Sequence, residues 1–256
     1  MGYRGDMRCV GIDLSWTGRR PSGFALIDAQ SSATIRTWTA TLTPDEIAAW
    51  LQALPGGVVA AIDAPLIVGP SRRAENQLRA ALGHHGILAY HVGGDFLERK
   101  GLTAGPKLGR ELRRAGWALA PPSRPLAEGR FAFETFPRAL TVTLLGADRP
   151  PVYKRGTLAG RREGLAAYHA LLERAAGQLG FELDVSTLAR RETACLEGRA
   201  AKALEDRLDA ALCALAAWAV AQHGTQPSDR FGTPEAGEII VPRARALTSA
   251  PEPTCP

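Results

Sequence analysis

Five acidic residues occupy positions where a carboxylate does chemistry more readily than it stabilises a fold: Asp13, Asp63, Glu134, Asp206 and Asp209. The first three end short apolar runs, "VGID", "VVAAID" and "RFAFE", that read as buried strands. Asp206 and Asp209 lie three residues apart in "DRLDAALCALAAW", a spacing that puts both on one helix face. An ionised carboxylate at the edge of an apolar core is costly by several kcal/mol unless it is paired or metal-bound. Clustered carboxylates suit hard cations such as Mg²⁺ or Mn²⁺, which prefer oxygen ligands. Two such ions about 3.5–4 Å apart clamp the attacking and leaving oxygens of a phosphodiester, a site that needs neither cysteine nor histidine. A single Asp after a strand is more often a turn-former, and Asp28 in "LIDA" is read that way. The joint placement of the five distinguishes them.

Basic residues supply a second set of candidates. Lys154 and Arg155, in "YKRG", are read as contacts to a substrate phosphate, with a solvated loop as the plain alternative. His84 and His85 in "GHHG" lack a partner at metal-ligand spacing, and His91 and Lys107 are weaker candidates for lining a cap.

These residues need elements to hold them. "RCVGIDLSW" and "FALIDA" read as strands around the turn "TGRRPSG", followed by a third in "ATIRTWTATL". "TPDEIAAWLQAL" opens a helix through a capping box, with Thr43 as N-cap, Pro44 first in the helix and Glu46 three residues after the cap. "VVAAIDAP" is a fourth strand stopped by Pro65, and "RFAFETFP" a fifth. Between them, residues 66–129 read as a helical insertion or cap. "RREGLAAYHALLERAAGQLG" and "RAAKALEDRLDAALCALAAWAVAQH" are long helical patterns. "EAGEIIVP" reads as a turn and a short strand. The expected organisation is one domain over 7–248, with residues 1–6 an extension and 249–256 a disordered tail.

Composition bounds the answer. The 256 residues, 45% hydrophobic and 22% charged with a formal charge of +5, describe an ordinary globular chain with a mild basic excess. Four cysteines without a C-x-x-C pair imply neither a disulfide framework nor structural zinc, and fit a reducing, cytoplasmic setting. Cys9 and Cys213 read as small core residues. No apolar run reaches the length of about eighteen residues that a membrane span needs.

The motifs "GID" (11–13), "IDAP" (62–65), "ETFP" (134–137), "DRLDAALCA" (206–214) and "EAGEIIVP" (235–242) together resemble the family called domain of unknown function 429, described as predicted RNase H-like nucleases. The resemblance implies an α/β, RNase H-like fold: a central mixed five-stranded sheet flanked by helices, with a helical insertion after the fourth strand. It implies a nuclease that hydrolyses phosphodiester bonds in DNA or RNA with Mg²⁺ or Mn²⁺. Asp13 would bridge the metals, Asp63 would hold one, and Asp209, helped by Asp206, would complete the site. Glu134 fills the family's Glu-x-aromatic-Pro motif, with Phe136 where tyrosine is common. Two other readings use the same fold: an actin- or sugar-kinase-like nucleotide-binding phosphotransferase, and a non-catalytic domain that binds nucleic acid or protein. The first normally needs two domains and glycine-rich phosphate loops, neither of which this chain offers.

Overall fold

The computed structural model describes residues 7–28, 33–184 and 198–244. The expected extension (1–6), the tail (249–256), Cys195 and Cys255 lie outside them.

The apolar runs form strands where the alternation predicts them: β1 (Met7–Asp13), β2 (Ser22–Ile27), β3 (Thr34–Ala40), β4 (Gly57–Ile62) and β5 (Arg130–Glu134). Three further strands follow, β6 (Glu182–Leu183), β7 (Ser228–Thr233) and β8 (Gly237–Pro242). All join one sheet in the order β6-β3-β2-β1-β4-β5-β8-β7. The expected five-stranded sheet is therefore corrected to eight strands, and its mixed character is found: β1–β2, β2–β3 and β7–β8 are antiparallel, while β1–β4, β4–β5, β5–β8 and β3–β6 are parallel.

Helix α1 (Pro44–Ala53) crosses from β3 to β4, and its capping box is present, with the Thr43 hydroxyl accepting from the Glu46 amide and the Glu46 carboxylate from the Thr43 amide. Between β4 and β5 run α2 (Ala74–Leu82), a single 3₁₀ turn (Gly83–His85), α3 (Gly94–Lys100) and α4 (Ala104–Arg114). Then come α5 (Pro137–Thr143), α6 (Leu158–Gln178) and α7 (Gly198–His223).

Alternation along the central strands divides the core between two faces. Val10, Ile12, Val58, Ala60 and Ile62 pack with Ile47 and Leu51 of α1 and Leu108 and Leu112 of α4. Cys9, Val59, Ala61 and Phe133 pack with α5, α6 and the alanine-rich side of α7. Cys9 and Cys213 are both fully buried there, as core residues. Helix α7 lies directly on β1 and β2 because Gly11 and Gly23 leave no side chain beneath it. A Cβ on Gly11 would run into the Ala210 carbonyl oxygen, and one on Gly23 into that of Asp206. These two close approaches bring the acids of α7 down to the strand ends. Among the described residues no helix is long and apolar enough to cross a membrane.

Candidate functional site

Strand phase decides which acids meet. β1 and β4 pair in parallel with Ile12 level with Ile62, and the Asp63 amide donates to the Ile12 carbonyl at 2.8 Å. Asp13 and Asp63 therefore sit side by side at the C-terminal ends of adjacent strands, whose backbones run about 4.8 Å apart. Both continue the phase of Cys9 and Val59, so both face α7. Asp209, fully buried on α7, comes down onto the same place.

Electrostatics show the convergence. The Asp13 carboxyl is pushed well above its ordinary range, first by burial, then by the charges of Asp209 and Asp63, with a smaller push from Asp206. Asp63 is raised to about 7, chiefly by burial, with Asp209 adding to it and Lys154 opposing. Both side chains remain half-buried, hemmed in by protein yet open to solvent on one side. Among the described residues neither has a hydrogen-bonding or ion-pairing side chain of its own.

Asp209 is better provided for. Its Oδ1 accepts hydrogen bonds from the Tyr153 hydroxyl at 2.8 Å and the Tyr168 hydroxyl at 2.9 Å, from two rings stacked at 4.9 Å between centroids. Burial, and then the Asp209 charge, raise both phenols, so they stay protonated and act as donors. The Lys154 ammonium lies 2.8 Å from Oδ2 and 3.7 Å from Glu205. Burial opposes the charge on Lys154, but Asp209, Asp13 and Asp63 outweigh it and hold the amine protonated. Its stem keeps 34% of its surface in solvent. Asp206 is held by Lys202, which also pairs with Glu205.

Glu134 goes elsewhere. β5 pairs with β4 so that Glu134 is level with Ile62, not Asp63, and a one-residue offset in a strand turns a side chain to the opposite face. Its carboxylate accepts from the buried Arg72 guanidinium and the Leu66 amide, and Arg72 also binds Glu75. Burial raises Glu134 to about 7 despite Arg72. Grouping Glu134 with the other four acids is thus corrected. It belongs to a separate Glu75–Arg72–Glu134 ion cluster, and the two groups meet only as parts of the wall of one cavity.

The other expected contacts divide. Lys154 faces the acids. Arg155 is exposed, with its guanidinium 3.4 Å from the Tyr90 hydroxyl, and shares a shallow groove with Lys154 and Arg138. Lys107 pairs with Asp45 on the surface. The rings of His84 and His85 meet at a tilt of 41° in the 3₁₀ turn, with centroids 4.0 Å apart, while His91 lies 4.0 Å from Glu75. Sequence does not single out Tyr153, Tyr168, Arg72 or Glu75, whereas Lys202 is legible as an ion-pair partner for Asp206 four residues along the helix. A tyrosine inside an apolar helical stripe, as Tyr168 is, was the available signal, since a buried hydroxyl needs a partner.

Asp13 and Asp63 are hard oxygen donors with too little positive charge nearby, which fits Mg²⁺ or Mn²⁺. Among the described residues no three carboxylate, imidazole or thiol groups stand close enough to surround one ion. Mg²⁺ does not require that, because it commonly keeps several waters and takes one or two carboxylates plus substrate phosphates. Asp13 and Asp63 fit that role, whereas Asp209 already holds Lys154 and two tyrosines.

No significant match was found among curated proteins or among solved structures. The family model described as "Protein of unknown function (DUF429)" matches residues 11–231, a span that runs from the glycine before Asp13 past the carboxylates of α7, and the chain belongs to that family.

Proposed function

We propose that this protein is a metal-dependent hydrolase of phosphodiester bonds in nucleic acid, built on an RNase H-like fold. The observation that carries the reading is the adjacency of Asp13 and Asp63 at the ends of neighbouring parallel strands, facing α7. The order β3-β2-β1-β4-β5, with the first three strands antiparallel, the next two parallel and α1 crossing to β4, supports the fold assignment. β6, β8 and β7 are then additions at its two edges.

Asp13 and Asp63 would hold Mg²⁺ or Mn²⁺. An ion there supplies Lewis-acid activation of water and neutralises charge on the phosphoryl oxygens. The chain's own groups do the rest. The two tyrosines fix the orientation of the Asp209 carboxylate. Lys154, with its ammonium against Asp209, brings a positive charge to the border of the acid site. Arg138 and Arg155 extend that charge along the adjoining groove, where a nucleic-acid backbone would lie. Asp206 adds to the negative field while Lys202 restrains it.

The test is cleavage of single- and double-stranded DNA and RNA with Mn²⁺. The protein cleaves at least one of them, and Asp13→Asn, verified as folded by circular dichroism, does not. Absence of cleavage across all substrates and metals would overturn the proposal. Metal-dependent hydrolysis or transfer of the ATP γ-phosphoryl group instead would favour the phosphotransferase reading.

A further inference from the structure

A carboxylate site for two divalent ions needs a third acid beside Asp13 and Asp63, and Asp209 is the one in place. Its two oxygens, however, are taken by consecutive residues of one segment. The Tyr153 hydroxyl donates to Oδ1, and the Lys154 ammonium lies 2.8 Å from Oδ2. Tyr168 gives Oδ1 a second hydrogen bond. With Asp209 0% exposed, an ion reaches Oδ2 only by displacing Lys154.

The segment that delivers Lys154 is clamped to α6. Gly164 lets that helix approach so closely that a Cβ there would stand 2.0 Å from the Val152 carbonyl oxygen, and Arg161 donates to the Tyr153 carbonyl at 3.1 Å. The ammonium also sits 5.5 Å from the centre of the Tyr153 ring, within reach of a cation–π contact. Its field extends past Asp209: burial raises the Asp63 carboxyl, and Lys154 is the strongest of the groups that oppose the rise. Lys202 is committed to Asp206 and Glu205. That leaves Asp13 and Asp63, which among the described residues have no ion pair of their own. Their two negative charges match one doubly charged ion. Lys154 also lines the 220 Å³ groove that it shares with Arg138 and Arg155, so it faces both the acids and the surface where a phosphate would lie.

From this arrangement we infer that Lys154 is the second cation of the site: its ammonium stands on Asp209 where a second divalent ion would, and the acids take a single ion, between Asp13 and Asp63. The inference deepens the proposed function and rests on it for the phosphate. Lysine binds phosphate as a point charge, so Lys154 can neutralise a phosphoryl oxygen as the second ion of a two-ion site does.

Titration with Mn²⁺ followed by paramagnetic resonance counts the bound ions and shows whether two lie about 3.5–4 Å apart, where their spins couple. Wild-type protein is expected to take one ion per chain with the spectrum of an isolated ion, both alone and with a nuclease-resistant phosphorothioate oligonucleotide. Lys154→Ala, which uncovers Asp209 Oδ2, is expected to take two coupled ions, and Lys154→Arg to keep one. Adding Asp209→Asn to Lys154→Ala should return the count to one. Two coupled ions in the wild type, or a single ion in folded Lys154→Ala, would overturn the inference. Should Lys154→Ala fail to fold, the wild-type count and spectrum decide. Two ions in a wild-type protein that cleaves nucleic acid would sink the role of Lys154 alone. One isolated ion without cleavage of any nucleic acid would sink the hydrolase reading alone, and no bound ion would sink both.

Discussion

Two acid-rich regions border one cavity and solve the same electrostatic problem differently. At Glu75–Arg72–Glu134, two carboxylates share a guanidinium that is almost wholly buried and fixed by several hydrogen bonds. At Asp13–Asp63–Asp209, the acids outnumber the cation further, and the cation is a lysine that keeps a third of its side chain in solvent. Arginine in a fork geometry is a permanent counter-ion, whereas lysine on a flexible stem is a movable one. The first region is built to hold its charge balance, and the second to change it when another cation arrives.

The comparison breaks first, if it is wrong, at the two cations. Arg72→Met should cost about 3–5 kcal/mol in denaturant unfolding, because it strands Glu75 and Glu134 in the interior. Mg²⁺ should not restore that loss. The close approach of α7 ranks next: Gly11→Ala should cost about 3 kcal/mol by forcing the helix off β1. Lys154→Met should cost only about 2 kcal/mol, between the values for buried and exposed pairs, and here Mg²⁺ should recover most of the stability. Equal metal rescue in Arg72→Met and Lys154→Met would erase the distinction.

The smallest effect is the pH dependence. Asp63 titrates near 7 in the folded protein, against an ordinary value of 3.8, and Asp13 is raised too. Between those values the native state keeps protons that the unfolded chain has released, so its stability is present at low pH and declines as pH rises. Glu134, also near 7, acts in the same direction. Metal-free protein should lose melting temperature steadily from about pH 4 to 7. With Mg²⁺ present the decline should flatten by the Asp13 and Asp63 share and leave the Glu134 share. A melting temperature flat with pH in EDTA would show that the acids are not crowded.

The strand-end acids Asp13 and Asp63 were legible because apolar alternation fixes both a strand and its phase, and Pro65 marks where β4 must stop. The α1 capping box was legible because all its partners lie within four residues. Glu134 was legible as an acid after a strand but not as one facing away from Asp63, since phase relative to a neighbour depends on register, which a single segment does not encode. The edge strands escaped for a different reason. β6 has two residues, and β7, "SDRFGT", buries only Phe231, so neither carries a hydrophobic signature. Tyr153 and Tyr168 meet Asp209 from the segment before α6 and from α6 itself, and Arg72 meets Glu134 across more than sixty residues of chain. Such partnerships arise only once the helices are packed.

Direct titration with Mn²⁺, following the loss of its free-ion paramagnetic resonance signal, tests the central claim that Asp13 and Asp63 share a divalent cation. Wild-type protein should deplete the signal, Asp13→Asn and Asp63→Asn should lose most of that affinity, and Glu134→Gln should keep it. Wild-type protein that leaves Mn²⁺ free, or Asp13→Asn that binds it as wild type does, would contradict the account.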